Sequence, residues 1–303
     1  MSKNYFHLLE SCTLCPRNCG ANRLKGEKGY CRSGFLPKIA LASLHFWEEP
    51  CISGQNGSGT LFFSNCTLSC VFCQNHEISQ EGRGEEVSLE RLAEIFLEQQ
   101  ERKAHNINLV TPSHFAPQIQ SALVQAKKRG LVIPVVYNTN SYENLETLKL
   151  FEGLVDIYLP DVKYFDDFYA VKYSRSSSYF ENAFKAVREM VRQTANPVFD
   201  QQGMILKGTI IRHLVLPGLL EDSKKLIRIL YENFGSQVYF SLMNQFTPVY
   251  QCSSYPELQN SISAGDYDEL VDYAVDLGIE NGFIQEEGTQ SKEYIPDFNL
   301  KGI

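Results

Sequence analysis

An alternation of strand and helix signals runs through most of this chain, and no other feature restricts its fold as tightly. Strand-like apolar runs occur at Thr60–Phe63, Ile107–Val110, Leu131–Tyr137, Leu154–Leu159, Leu206–Leu216 and Gln237–Met243. Helical periodicity separates or follows them. Ser88 is placed to cap a helix reaching about Lys103, with Leu89, Leu92, Ile95 and Phe96 on one face. Further helices are expected from about Pro117 to Arg129, near Tyr142–Phe151, in a longer region ending near Gln193, at Asp222–Asn233 and at about Tyr267–Leu277. The continuous apolar run at Leu131–Tyr137 suits a strand buried on both faces. Six βα units in succession predict a parallel α/β fold, either an open sheet or a partly or fully closed barrel.

Before residue 55 the pattern is different. Residues 1–35 hold Cys12, Cys15, Cys19 and Cys31 among turn-forming residues, with little periodicity. They read as a small module organised around something other than an apolar core. Leu36–Leu44 is apolar and is expected to be an extended or short helical link. The division that follows is a cysteine-rich module and linker at 1–54, a core at 55–285 and an extension at 286–303. In that extension Glu286 and Glu287, with Gln285 before them, read as a solvated face. A chain of 303 residues with 43% hydrophobic residues has enough apolar material for a large core. The net charge of -8 gives the surface no general reason to attract nucleic acid or anionic lipid. The abundant Tyr and Phe have no base-stacking spacing. The first seven residues lack a signal-like apolar core, and no run approaches the roughly 18 apolar residues of a membrane span. A cytoplasmic location is therefore expected. In that setting clustered cysteines more often bind metal than form disulfides.

Eight of the nine cysteines lie at or before Cys73. Cys66, Cys70 and Cys73 have the spacing C-x3-C-x2-C, directly after the first strand signal. Such a trio can be a buried structural group, or part of a zinc site with a fourth ligand elsewhere. Three thiolates in one tight loop can also hold three irons of a cubane cluster and leave the fourth open. The position after a strand is the carboxyl edge, where α/β folds place their chemistry.

The motif resembles the cluster-binding signature of the radical S-adenosylmethionine enzymes, with Phe72 at the usual aromatic position before the third cysteine. The resemblance implies a partial (β/α)6 TIM-like barrel carrying a [4Fe-4S] cluster on Cys66, Cys70 and Cys73. It also implies reductive cleavage of S-adenosylmethionine to methionine and a 5'-deoxyadenosyl radical. Over roughly residues 55–285 the chain looks most like the pyruvate formate-lyase activating enzyme group. Asp161-Val162-Lys163 is similar to that group's D-x-K element. Arg212-His213-Leu214-Val215-Leu216-Pro217-Gly218 is similar to its R-H-x-x-x-P-G element, and Asn138-Thr139-Asn140 stands where it has T-N-G. The resemblance thereby implies that Phe72, Asn138, Asn140, Asp161, Lys163, Arg212 and His213 border the S-adenosylmethionine pocket. By residue chemistry alone, Lys163 can equally be a solvated lysine beside Asp161, and His213 a satisfied core histidine. Asn138 and Asn140 can simply end a strand and cap a turn. One element departs from the group. Where it carries G-G-E, this chain has Val110-Thr111-Pro112-Ser113-His114, leaving Ser113 and His114 as polar candidates for cofactor contact.

Cys12, Cys15, Cys19 and Cys31 follow C-x2-C-x3-C-x11-C, which fits tetrahedral zinc or a second iron–sulfur cluster. Cys51 and Cys252 read as small buried apolar residues. The expected reaction is hydrogen abstraction from a glycine of a partner protein, with electrons from a donor such as flavodoxin or ferredoxin. Radical modification of another protein, a small metabolite or RNA is the enzymatic alternative. A non-catalytic iron–sulfur electron carrier or interaction protein is the alternative of another class.

Overall fold

The structure, a computed structural model, describes residues 5–285 and 296–303, so the expectation for Glu286 and Glu287 lies outside the described residues. Its strands are β1 (Lys38–His45), β2 (Ser58–Phe63), β3 (Glu85–Glu86), β4 (Ile107–Val110), β5 (Val135–Thr139), β6 (Ile157–Pro160), β7 (Val198–Phe199), β8 (Ile205–Leu214), β9 (Tyr239–Met243) and β10 (Gly282–Ile284). They form one sheet in the order β10-β9-β8-β6-β5-β4-β2-β1-β3, with β7 beside β8. From β2 to β10 every step along that order is parallel, while β1 runs antiparallel to β2 and β3 to β1. The sheet does not close on itself. It is a partial barrel, the architecture that the motif resemblance implies.

The helices are α1 (Pro50–Ser53), α2 (His76–Ser79), α3 (Leu89–Glu101), α4 (Ala116–Lys128), α5 (Leu145–Leu148), α6 (Asp167–Ser174), α7 (Tyr179–Thr194), α8 (Leu220–Phe234) and α9 (Ala264–Asp276). Ser88 caps α3 by accepting the Arg91 N–H, and Pro117 sits in the first turn of α4. Several expectations shift. The strand expected at Leu131–Tyr137 starts only at Val135, after Pro134, whose carbonyl takes the Ile107 N–H; Pro134 itself has no N–H for the ladder. The next strand begins at Ile157 rather than Leu154. The helix near Tyr142 begins at Leu145 and tightens into a 3-10 turn at Lys149–Phe151. The long helical region divides into α6 and α7, because Arg175 and Ser178 take left-handed backbone between them.

The segment expected as a link is β1, a full sheet member with Ile39, Ala40, Leu41 and Ala42 buried. Its outer edge does not stay open. Leu300 N–H donates to Ala40 O, and Lys301 O accepts from Ala42 N–H, so the last residues cover that edge. Since β1 is antiparallel to β2, His45 lies opposite Ser58, at the start of β2 and away from the cysteine loop.

Side chains alternate across each strand, and this parity sorts the molecule into two faces. Tyr137 and Tyr158 pack outward with Phe96, Ile119 and Met190 in the helix layer. Val136, Ile157, Leu159 and Ile210 point to the concave side, where Cys51 and Ile52 of α1 cover them. Burying each of these branched aliphatic side chains contributes roughly 1.5–3 kcal/mol, which anchors α1 inside the barrel. Cys51 is thus a packing residue. So is Cys252, buried beneath the three-cysteine loop with Val71 and Phe72.

Candidate functional site

The carboxyl ends of the parallel strands come to one level. Val110 pairs with Asn138, Thr139 with Pro160, Asp161 with Arg212, and Leu214 with Met243. The loop after β2 arches over this edge with Cys66, Cys70 and Cys73. A cavity of about 320 Å³ lies beneath it and is lined by all three cysteines together with Phe72, Asn138, Asn140, Asp161, Lys163 and Arg212. These nine candidates, spread over nearly 150 residues of sequence, border one space.

Each thiol has a polar neighbour aimed at its sulfur. Cys66 Sγ accepts from Asn140 Nδ2 and Leu68 N–H, each at 3.4 Å. Cys70 Sγ accepts from Ser174 Oγ at 2.9 Å, and Cys73 Sγ lies 3.2 Å from Ser79 Oγ. Burial pushes the Cys66 thiol up to about 12 and the Cys70 thiol up to about 11, although the Lys163 ammonium opposes the rise at Cys70. Thiols raised in this way become thiolates only when a cation compensates them. Among the described residues no three metal-binding side chains gather tightly enough for a single ion. Three sulfurs that line one cavity, each with a polar group at hydrogen-bond distance, form a donor set that suits an iron–sulfur cluster.

Asp161 and Lys163 leave the end of β6 as a half-buried pair, Lys163 Nζ donating to Asp161 Oδ2 at 2.8 Å. Burial works against the Asp161 carboxylate, but Arg212 and Lys163 together hold it below its usual range. Burial likewise disfavours the Lys163 ammonium, and Asp161 with Cys70 outweighs it and raises the group. Tyr179 of α7 fixes this corner. Its hydroxyl accepts the Lys163 N–H and reaches the carbonyls of Asn140 and Asp161 at 2.9 and 3.0 Å.

Three of the candidates lie outside the cavity lining. His213 is next to Arg212, so strand parity turns it to the helix layer while Arg212 points inward. Its ring bonds Val162 O and Ser223 Oγ, each at 2.8 Å, and burial lowers it to about 4, so it is a satisfied neutral core histidine. Ser113 and His114 enter a 3-10 turn after β4 and do not line the cavity. Ser113 Oγ donates to Glu143, and His114 Nε2 lies 2.8 Å from Ser64 O. The cavity wall at that strand end is Val110 and Thr111, the latter in left-handed backbone at φ 56°.

The residues that sequence reasoning missed come from the turn after β1. Glu48 accepts from Arg212 at 2.9 Å, Asn108 Nδ2 at 2.9 Å and Asn138 Nδ2 at 3.4 Å. Glu49 is buried beside it. Burial, with Glu48 adding to it, raises the Glu49 carboxyl despite Arg212, and one of its oxygens has no partner. A signal for them existed. An arginine in a strand expected to be buried demands counter-charges beyond Asp161, and Glu48-Glu49-Pro50 is the acidic pair standing before a helix-starting proline.

Glu143, just beyond β5, is another buried carboxyl. It accepts hydroxyls of Ser113, Tyr137 and Thr139 on one oxygen, and the other has no partner. Burial outweighs those bonds and raises it from 4.5 to about 7. The native state therefore keeps a proton that the unfolded chain releases above about pH 4.5. Stability is expected to fall as pH rises from 4.5 to 7, by up to about 3 kcal/mol, with no further loss from this group at higher pH. Urea midpoints across this window check it: Glu143→Gln should remove most of the slope, and an unchanged slope would assign the pH dependence to other groups.

In the N-terminal module Cys12, Cys15 and Cys31 are buried and Cys19 is exposed. Gly29 packs so closely on Cys19 that an added Cβ would stand 2.2 Å from its sulfur. The module rests on the barrel edge through Asn144 Nδ2 to Thr13 O and Thr147 Oγ1 to Leu14 O. No described helix is long and apolar enough to cross a membrane.

Comparison with known proteins agrees with this geometry. Residues 60–230 match the family model described as the radical SAM superfamily. An uncharacterized protein of Methanocaldococcus jannaschii is 27% identical over 282 residues, covering 90% of this chain and 76% of that protein. The solved structure of Streptococcus suis SuiB with its precursor peptide SuiA superposes with a TM-score of 0.52 at 12% identity. It covers 74% of this chain, which spans about half, 47%, of that one. SuiB bound to S-adenosylmethionine gives 0.50 at 14% identity, over 74% of this chain and 48% of the other.

Proposed function

Because the chain belongs to the radical SAM superfamily, we propose that it is an activating enzyme that abstracts a hydrogen atom from a glycine α-carbon of a partner protein. Membership makes it an enzyme of iron–sulfur and S-adenosylmethionine chemistry. Cys66, Cys70 and Cys73 would hold a [4Fe-4S] cluster, which when bound supplies the electron that cleaves S-adenosylmethionine to methionine and a 5'-deoxyadenosyl radical. The chain's own residues bind and exclude. Asp161 and Lys163 offer opposite charges to the ammonium and carboxylate of a methionine moiety, and Asn140 ties the end of β5 to the cysteine loop. Phe72 and Phe246 pack at 6.0 Å beside the cavity and keep water from that side.

The observation that carries the protein-substrate reading is the reach of the cavity lining. It runs from the three cysteines to a rim bearing Trp47 and Ile284, each 62% exposed. An apolar rim above a deep site suits an extended polypeptide segment better than a fully enclosed small molecule. The Glu48, Glu49 and Arg212 group on the cavity wall favours a second reading, a small polar metabolite. Electrons would come from a flavodoxin- or ferredoxin-type donor.

The test uses anaerobically reconstituted, reduced enzyme with a candidate partner polypeptide carrying α-deuterated glycine. Deuterium is expected in 5'-deoxyadenosine, together with a glycine-centred radical signal in the partner. Product that stays unlabelled with glycine-labelled proteins but takes label from a small molecule would establish the second reading instead. The same preparation tests a second metal at Cys12, Cys15, Cys19 and Cys31, as zinc or iron–sulfur. Zinc, or iron beyond four per chain, should disappear in a Cys12→Ser, Cys15→Ser variant, and unchanged metal content would remove that site from the proposal.

A further inference from the structure

Two residues of the N-terminal cysteine loops reach the three-cysteine loop, and both stand beside cysteines. Arg17 lies between Cys15 and Cys19, and Tyr30 immediately precedes Cys31. Arg17 Nε donates to Thr67 O at 3.0 Å, and its Nη1 donates to Arg175 O at 2.5 Å. One guanidinium thus joins the cysteine loop to the end of α6. Tyr30 Oη donates to Ser69 Oγ at 2.9 Å, and its ring lies under the guanidinium, 3.8 Å from Arg17 Cζ to the ring centroid. Tyr142 stands on the guanidinium at 5.2 Å as well.

The side facing α6 is held by other means. Val71 N–H donates to Tyr173 O, Ser69 N–H to Ser174 O, and Ser174 Oγ to the Cys70 sulfur. Arg175, whose carbonyl Arg17 takes, is in left-handed backbone at φ 52°. The loop therefore sits between the end of α6 and the N-terminal module, and Arg17 is the group bonded to both. Its remaining nitrogen, Nη2, is buried with no acceptor, a cost that packing alone does not explain. A planar fork supplies two directed bonds at fixed angles, which a lysine cannot reproduce.

We infer that Arg17 and Tyr30 form a clamp by which the N-terminal module positions the Cys66–Cys73 loop, so that its three sulfurs are pre-arranged before a cluster is bound. Both are positioning residues, since neither lines the cavity. The clamp rests on the cluster-binding role proposed for that loop, but its geometry is testable without a cluster.

Amide hydrogen exchange on metal-free protein reads the clamp directly, through the protected N–H groups of Ser69, Val71 and Cys73. Arg17→Ala is expected to speed exchange at these positions about tenfold while leaving β5 and β6 unchanged, and Arg17→Lys should not restore it. Tyr30→Phe deletes a single oxygen and keeps the ring, so it should fold normally and still speed exchange at Ser69 about threefold. On reconstituted protein, Arg17→Ala should also lose iron to a chelator about tenfold faster. Wild-type exchange at Ser69 and Val71 in both Arg17→Ala and Tyr30→Phe would overturn the clamp. If Arg17→Ala does not fold, Tyr30→Phe with wild-type exchange at Ser69 would do the same. Faster exchange in a protein that never cleaves S-adenosylmethionine would leave the clamp standing and remove the radical reading.

Discussion

Replacing Cys66, Cys70 and Cys73 together by alanine is expected to abolish 5'-deoxyadenosine formation, a loss on the order of a thousandfold or more, while the barrel stays folded. The two halves of that expectation have separate causes. Without metal, Cys70 is buried and Cys66 and Cys73 are half-buried, and desolvation raises all three thiols so that they stay neutral; they act as small apolar groups within the packed loop. Truncation leaves the backbone bonds of Val71 to Tyr173 and Gln251, and of Cys73 to Cys70, in place. Circular dichroism and the melting temperature should therefore change little. Activity differs because no other described cysteine lines the cavity that would have to replace them. Mass spectrometry of 5'-deoxyadenosine after anaerobic reconstitution and reduction decides the matter. Product at the wild-type rate in the triple variant would detach the chemistry from this loop altogether.

Much of that site is legible in the order of residues, and the reason is local. A cysteine trio directly after a strand, Asp161-Val162-Lys163 after another and Asn138-Thr139-Asn140 at the end of a third are short motifs whose position follows once each strand end is found. The same local logic does not bring His213 into the cavity lining. The motif says that it neighbours Arg212, whereas strand parity sends adjacent residues to opposite faces, and the partner at Ser223 lies on a helix beyond the next turn. Ser113 and His114 also stay outside the lining, for a related cause. The departure from G-G-E is visible, but their true partners, Glu143 and Ser64, are 30 and 50 residues away. Glu48 and Glu49 were hidden longer still. They follow β1, which carries too little alternation to separate a sheet edge strand from a linker, and their partner Arg212 is 164 residues from Glu48. The fold was readable because periodicity repeats in each βα unit. Antiparallel β1 and the short β10 repeat nothing, and pairing alone gives them their place.

Arg212→Ala is expected to destabilise the fold by about 3–5 kcal/mol near neutral pH, because it leaves the buried Glu49 and the largely buried Glu48 without their counter-charge. The guanidinium makes three directed bonds inside the barrel: Nε to Asp161 at 2.7 Å, Nη1 to Glu48 at 2.9 Å and Nη2 to Asn138 at 2.7 Å. Lys163 can still serve Asp161 in the variant. Glu48 would keep only amide donors from Asn108 and Asn138, with Glu49 close by. Burial already holds the Glu49 carboxyl above the usual carboxylate range, and Arg212 is the strongest of the groups that oppose it. Losing Arg212 raises it further. A carboxyl raised in the folded state destabilises that state once pH exceeds its unfolded value, so the deficit should be largest at and above neutrality and shrink as pH falls toward 5. Arg212→Lys should recover part of the loss, since one ammonium returns the charge without three fixed directions. Glu48→Gln combined with Arg212→Met should recover more than the sum of the two single effects predicts, because it removes the charge and its counter-charge together. Urea unfolding at pH 5 and pH 7.5 separates these outcomes. A loss below about 1 kcal/mol with no dependence on pH would mean that water or a rearranged Lys163 neutralises the cluster, and the interior of this barrel would then be wetter than its buried side chains imply.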